Sequence, residues 1–187
     1  MSESIAPVCV YCSSSEKIRP VFREAARALG RVLGERRLDL IYGGGRRGLM
    51  GDVADGALAA GGHVVGVITR QLVDMETAHH GLADLRIVET MHERKAQMAA
   101  VAQSFVALPG GVGTLDELFE ILAWFQLGLH AKPIGILDTD GFFGPIMAFL
   151  ENADAEGFLR FRPREAIVME RDPVALIERL MKKPSQI

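Results

Sequence analysis

Gly110, Gly111 and Gly113, followed by Thr114, Asp116 and Glu117, are the residues of this chain best spaced for chemistry. They stand between an apolar run, Ser104 to Leu108, which reads as a buried strand, and a stretch in which Leu115, Leu118, Phe119, Leu122 and Phe125 recur at helical spacing. That spacing predicts a helix beginning near Thr114. Glycines at such a junction let the backbone turn its N–H groups toward a guest. The helix dipole adds positive potential at the same point, so the fitting guest is an anion, a phosphate above all. The stretch therefore reads as a phosphate cradle with a carboxylate at its lip.

Glu117 carries two readings. Thr114-Leu115-Asp116-Glu117 has the T-x-x-E form of a capping box, with Thr114 as N-cap and Glu117 reaching back to its amide. A side chain in a first helical turn also points toward the N-terminus, into the anion pocket, where the dipole favours the ionised carboxylate. An ionised acid beside a ribose phosphate suits an oxocarbenium-like sugar, as in glycoside hydrolysis.

A second glycine loop, Gly43-Gly44-Gly45-Arg46-Arg47-Gly48, fits G-x-G-x-x-G, the dinucleotide fingerprint. Its context argues against a nicotinamide-dependent oxidoreductase. The fingerprint belongs after the first strand, with an acid about twenty residues on to hold the ribose, whereas here it follows the second strand and the next one ends Val67-Ile68-Thr69-Arg70. The loop is expected instead to flank the central cradle and shape a pocket for one nucleotide. Cys9 and Cys12 form C-x-x-C, but on a strand rather than at a helix start. Without two further ligands they read as structural thiols in a reducing compartment. His79, His80 and His92 lie in no metal-binding pattern, so no metal and no cofactor is expected.

The elements that must position these residues alternate from end to end. Strands are expected at Val8–Tyr11, Leu38–Tyr42, Val64–Ile68, Leu85–Val88, Ser104–Leu108, Lys132–Asp138 and Ala166–Met169. Helices are expected through Phe22–Leu33, Val53–Leu58, Met91–Ala102, onward from Thr114, and over Pro145–Glu156 and Pro173–Met181. Arg70 to Gly81 shows no period and reads as a long loop or short helix over the site. Five arginines of the first helix, Arg23, Arg27, Arg31, Arg36 and Arg37, interleave with Glu24 and Glu35 and read as a solvated face. Nearly uninterrupted apolar strands joined by helices imply an α/β fold. This is one doubly wound, Rossmann-like domain over residues 1–187, with a central parallel sheet flanked by helices and ligands at the C-terminal strand ends.

Composition bounds the partners. A formal net charge of -3 gives no electrostatic reason to expect a nucleic-acid polymer. No apolar run is long enough to span a bilayer, and the acidic Met1-Ser2-Glu3-Ser4 start lacks a basic signal region, so the expected location is cytoplasmic.

Pro109-Gly110-Gly111-Val112-Gly113-Thr114-Leu115-Asp116-Glu117 resembles the P-G-G-x-G-T-x-x-E motif of the Lonely guy family of cytokinin riboside 5′-monophosphate phosphoribohydrolases. The likeness extends to Cys12-Ser13-Ser14, to Gly43-Gly44-Gly45 through Gly51, to Met91-His92-Glu93-Arg94-Lys95-Ala96-Gln97-Met98, and to Trp124 through Gly128. The resemblance implies hydrolysis of the N-glycosidic bond of an adenine-type nucleoside 5′-monophosphate, giving free base and ribose 5-phosphate. It implies Arg94 and Glu117 as the catalytic pair, and Gly110, Gly111, Val112, Gly113 and Thr114 around the phosphate. Glu76, Lys95, Ser13, Gly44 and Gly45 fall at substrate-contacting positions. The family's smaller members form homodimers, which is the expected assembly here. A guanidinium is a poor proton donor, so Arg94 would orient the carboxylate, clamp oxygens or neutralise charge; outside the motif it would read as an exposed helix arginine. Trp124 and Phe125 read as core or interface residues. The competing reading is a carrier of a nucleotide-like or pterin-type cofactor on a related fold, which has no need of the Arg94 and Glu117 pair. Proteins with this motif have also been labelled lysine decarboxylases, but neither Lys95 nor Lys132 lies in a recognisable pyridoxal phosphate setting.

Overall fold

The computed structural model describes residues 7–75 and 77–182. Short apolar strands cannot leave either face in water, and here the seven strands join one parallel sheet whose inner strands are buried on both sides, with the partly polar β4 (Asp84–Val88) at one edge. The strands are β1 (Val8–Tyr11), β2 (Leu40–Tyr42), β3 (Val64–Thr69), β4 (Asp84–Val88), β5 (Ser104–Ala107), β6 (Ile134–Leu137) and β7 (Ile167–Glu170). The order β4-β3-β2-β1-β5-β6-β7 means that the chain builds outward one way from β1 and then the other way from β5. The connections after β1 and β5 therefore part at the C-terminal edge, and a crevice opens between them.

The helices are α1 (Pro20–Glu35), α2 (Gly48–Ala59), α3 (Arg70–Asp74), α4 (Met91–Val101), α5 (Val112–Gln126), α6 (Gly144–Ala155), α7 (Pro163–Ala166) and α8 (Pro173–Lys182). On one face of the sheet α1, α2 and α8 bury Phe22, Leu29, Leu33, Val53, Leu176 and Leu180 against Val8, Val10 and Cys12. On the other, α4, α5 and α6 bury Met98, Leu118, Ile121 and Leu150 against Cys9, Tyr11 and Phe105. Cys9 and Cys12 are thus free thiols on opposite sides of the sheet, and burial raises both thiol pKa values.

Several expectations are refined. The segment after β3 is the short helix α3 followed by an antiparallel bridge between Gly45 and Ala78, which draws it over the strand ends. The one-turn helix α7, begun by Pro163, was not foreseen. The arginine face of α1 is only partly solvated. Arg23 and Arg27 fold back onto Asp52 of α2, which is 2% exposed, at 2.6 Å and 2.8 Å. A buried carboxylate needs such partners, and α1 and α2 lie close enough to supply them: a Cβ on Gly30 would stand 2.1 Å from the Val53 carbonyl oxygen. Among the described residues no helix is long and apolar enough to cross a membrane.

Candidate active site

β5 is locked to β1 by the Leu108 amide, which donates to the Tyr11 carbonyl at 2.9 Å, and the chain then runs through Pro109 and Gly110 into α5. The helix starts at Val112 with Gly111 as N-cap in extended conformation. Its first internal bond runs from the Leu115 amide to the Gly111 carbonyl, 3.0 Å, which leaves the amides of Val112, Gly113 and Thr114 ahead of it. Added Cβ atoms on Gly111 and Gly113 would meet nothing within 4 Å, whereas one on Gly110 would lie 2.1 Å from Thr114 Oγ1. Gly110 is therefore there for close packing, and Gly111 and Gly113 face open space.

This start corrects the expected helix boundary and removes the capping box. Thr114 is the third residue of α5 rather than its N-cap, and no side chain caps the helix. Gly111, in extended backbone, takes the N-cap position instead, and the absence of a Cβ on Gly110 leaves room for Thr114 to pack against it. Glu117 then lies more than a turn inside and is 6% exposed. Its charge state also differs from expectation. Loss of water around the carboxyl raises its pKa from an ordinary 4.5 to about 7, against the opposing pull of the Arg94 charge. Desolvation wins over the cation.

Arg94 is no exposed helix arginine. It is 5% exposed, and its Nε donates to the Val67 carbonyl and its Nη2 to the Gly43 carbonyl, both at 2.9 Å. Nη1 lies 3.4 Å from Met91 Sδ and 3.7 Å from Glu117 Oε1. A Cβ on Gly43 would stand 1.9 Å from Arg94 Nη2, so this glycine makes room for the guanidinium. The rest of the second glycine loop serves its surroundings. Gly48, at φ +58°, admits the turn after β1, since a Cβ there would meet the Ser15 carbonyl oxygen at 2.3 Å. The loop is pinned to the segment after α3 by the Arg46 amide on Thr77 O and the His79 amide on Gly44 O, both 2.9 Å. His79 completes the tether, accepting from the Gly81 amide through Nδ1 and contacting Asp55 through Nε2 at 3.0 Å.

These parts enclose a cavity of about 450 Å³ at the β1/β5 crevice, a size suited to a nucleotide. Of the expected site residues, Arg94, Glu117, Gly111, Gly113, Thr114, Ser13 and Gly45 line it together. Gly44, Gly110, Val112 and Lys95 do not. Gly44, at φ +70°, backs onto Ile68 and Leu85, and the Val112 side chain is 86% exposed. Lys95 lies on another side of α4 from Arg94, paired with Asp116 at 3.0 Å and Glu120 at 3.1 Å. Glu76 lies outside the described residues, though Leu72 and Thr77 on either side of it line the cavity. Sequence reasoning missed an apolar wall of Met50, Ile68, Leu72 and Met91, and also missed Arg47 and Cys12. Cys12, Arg47, Met50 and Met91 lie within the motif stretches, which was their signal, while Ile68 and Leu72 lie outside them. Among the described residues no cluster of three or more His, Cys, Asp or Glu side chains could hold a metal ion.

A family model described as "Possible lysine decarboxylase" matches residues 50–180. The chain is 47% identical over 173 residues to the "Probable cytokinin riboside 5'-monophosphate phosphoribohydrolase LOGL9" of Oryza sativa subsp. japonica, covering 92% of this chain and 76% of that one. It is 44% identical over 173 residues to the cytokinin riboside 5'-monophosphate phosphoribohydrolase LOG7 of Arabidopsis thaliana, covering 92% and 80%. Among solved structures, the molybdenum cofactor binding protein of the phototrophic bacterium Rippkaea orientalis superposes with a TM-score of 0.72 at 19% identity, covering 96% of this chain and 100% of that one. At that identity the likeness is one of fold alone.

Proposed function

The chain belongs to the Lonely guy family, and from that membership we propose that it hydrolyses the N-glycosidic bond of cytokinin riboside 5′-monophosphates, N6-substituted forms of adenosine monophosphate, with AMP as a further substrate. The products are free base and ribose 5-phosphate. The observation that carries this reading is the buried Arg94 and Glu117 pair, 3.7 Å apart, on the same cavity as the open N-terminus of α5.

The reaction breaks the bond from C1′ to the base nitrogen. The bonding electrons leave with the base, which takes up one proton, and water adds its oxygen to C1′ and gives up one. Charge develops on the sugar, and a carboxylate already in place needs no reorganisation to meet it. Glu117 supplies that carboxylate in its ionised form. Arg94, held by two backbone carbonyls, keeps its guanidinium beside Glu117 and favours the ionised state against the cost of burial. The free amides of Val112, Gly113 and Thr114 suit the phosphate, and the wall of Met50, Ile68, Leu72 and Met91 suits a purine with an apolar N6 tail. Water is the only co-reactant this chemistry needs.

The decarboxylase description of the family has no support in this site. Among the described residues no lysine lines the cavity, Lys95 is held by Asp116 and Glu120, and Lys132 Nζ donates to the Ala99 carbonyl. The reading extends to a cytoplasmic homodimer. Free thiols at Cys9 and Cys12 fit a reducing compartment. An apolar groove of about 510 Å³ between α5 and α6, rimmed by Phe149 and Phe158 at 59% and 76% exposure, fits a second copy.

The test is incubation of purified protein with isopentenyladenosine 5′-monophosphate, its riboside and AMP, resolved by chromatography. Isopentenyladenine and ribose 5-phosphate are expected from the monophosphate. Equal turnover of the riboside would overturn the phosphate cradle.

A further inference from the structure

We propose that Arg47 is a specificity-determining residue of this site, the cation that selects a phosphorylated substrate over the corresponding riboside. The proposal rests on the hydrolase reading above and adds a residue that none of the sequence motifs singled out. Among the described residues, the charged residues lining the cavity are Arg47, Arg94 and Glu117. Arg94 is already committed: its Nε and Nη2 are taken by backbone carbonyls and its Nη1 faces Met91 and Glu117. With Glu117 ionised, the charges of that pair offset each other. The neighbouring lysine, Lys95, is spent on Asp116 and Glu120 away from the cavity.

Arg47 differs in each respect. Its side chain is exposed and, among the described residues, has no hydrogen bond or ion pair with the protein. Its backbone is nonetheless fixed. It is the N-cap of α2, immediately before Gly48, whose close approach to the Ser15 carbonyl oxygen seats this corner against the turn after β1. Ser13, Ser14 and Ser15 of that turn line the same cavity as Gly111 and Gly113. Among the described lining residues, Arg47 therefore supplies the surplus positive charge. A phosphate monoester carries more than one negative charge near neutral pH, which the amides of α5 alone do not balance. A guanidinium fork is suited to two of its oxygens at once. Arg46, next in sequence, does not line the cavity and serves as an internal control.

The experiment compares wild type with Arg47→Gln, Arg47→Lys and Arg46→Gln in two assays: nucleotide hydrolysis, and calorimetric binding of ribose 5-phosphate. For Arg47→Gln the KM for the monophosphate is expected to rise about 10- to 100-fold with kcat within two-fold, because an interaction present in both ground and transition states has been removed. Ribose 5-phosphate binding should weaken by a similar factor, and inhibition by the free base should be unchanged. Arg47→Lys should recover part of the loss, Arg46→Gln should match wild type, and the thermal midpoints of all four should agree. A KM and ribose 5-phosphate affinity within two-fold of wild type in Arg47→Gln would overturn the proposal. Wild type inactive on every nucleotide would instead remove the hydrolase reading, and the ribose 5-phosphate isotherms would still decide the role of Arg47.

Discussion

The chain contains the same four-residue pattern twice, Thr90-Met91-His92-Glu93 and Thr114-Leu115-Asp116-Glu117, and uses it for opposite purposes. At the start of α4 it is a capping box. Thr90 Oγ1 accepts the Glu93 amide at 3.1 Å, and Glu93 Oε2 accepts the amides of Thr90 and Glu89 at 3.1 and 2.9 Å, all at the surface. In α5 the pattern sits inside the helix, with Thr114 and Glu117 3% and 6% exposed. The difference lies upstream. Val88 and Glu89 offer no early entry to a helix, so Thr90 becomes the cap. In α5 Gly111 is the cap and Thr114 packs where Gly110 has no Cβ, so the helix begins before its threonine arrives. A glutamate released from capping and buried beside a guanidinium is costly to keep, which accords with the catalytic role proposed for it.

The comparison breaks most visibly in activity. Glu117→Gln keeps the size and amide-accepting oxygen of the side chain and removes only its ionisation. It should lower kcat about a hundred- to a thousand-fold while circular dichroism shows a folded chain. Glu93→Gln should leave kcat within two-fold. Comparable activity in both variants would return Glu117 to a structural role.

Acidity sharpens the contrast further. The native state holds the Glu117 proton up to about pH 7 and the unfolded chain releases it near 4.5, so between those values the folded protein binds more protons. Stability must therefore fall as pH rises through that window and level off above it, by on the order of 3 kcal/mol. Over the same window kcat/KM, which reports the free enzyme, should rise as the carboxylate forms. Glu117→Gln should abolish this contribution to the stability slope. Denaturant titrations between pH 4.5 and 8 would show it, and parallel rather than opposed trends in stability and activity would contradict the assignment.

What the sequence disclosed follows from range. Apolar runs alternating with helical periods disclosed the parallel sheet, because that depends on patterning within each element, whereas the strand order and the crevice between β1 and β5 come from how the elements pack together. Glycine junctions after β2 and β5 disclosed where the cavity lies. The orientation of single side chains was not readable. Arg94 and Lys95 are neighbours on α4, yet one helical step of about 100° sends Arg94 into the cavity and Lys95 out to Asp116 and Glu120. Gly43 reads as a turn glycine, while its role is to admit a guanidinium 51 positions along the chain. Asp52, with Arg23 and Arg27 folded over it, owes its burial to the close approach of two helices, which no local pattern encodes.

The smallest expected effect concerns the two threonines. Thr90→Ala removes the acceptor for the Glu93 amide and should cost about 1 kcal/mol, read as a lower denaturation midpoint with unchanged kcat. Thr114→Ala removes no cap. Alanine is the better helix former at an interior position, and the volume vacated adjoins a cavity that is already open. The packing lost and the propensity gained oppose each other, so stability should change by less than about 0.5 kcal/mol. Any deficit in Thr114→Ala should appear in KM instead, since Thr114 lines the cavity at the start of α5. Equal stability losses in the two variants would mean that Thr114 caps α5 in solution. The early helix start at Val112, and with it the release of Glu117 for chemistry, would then be wrong.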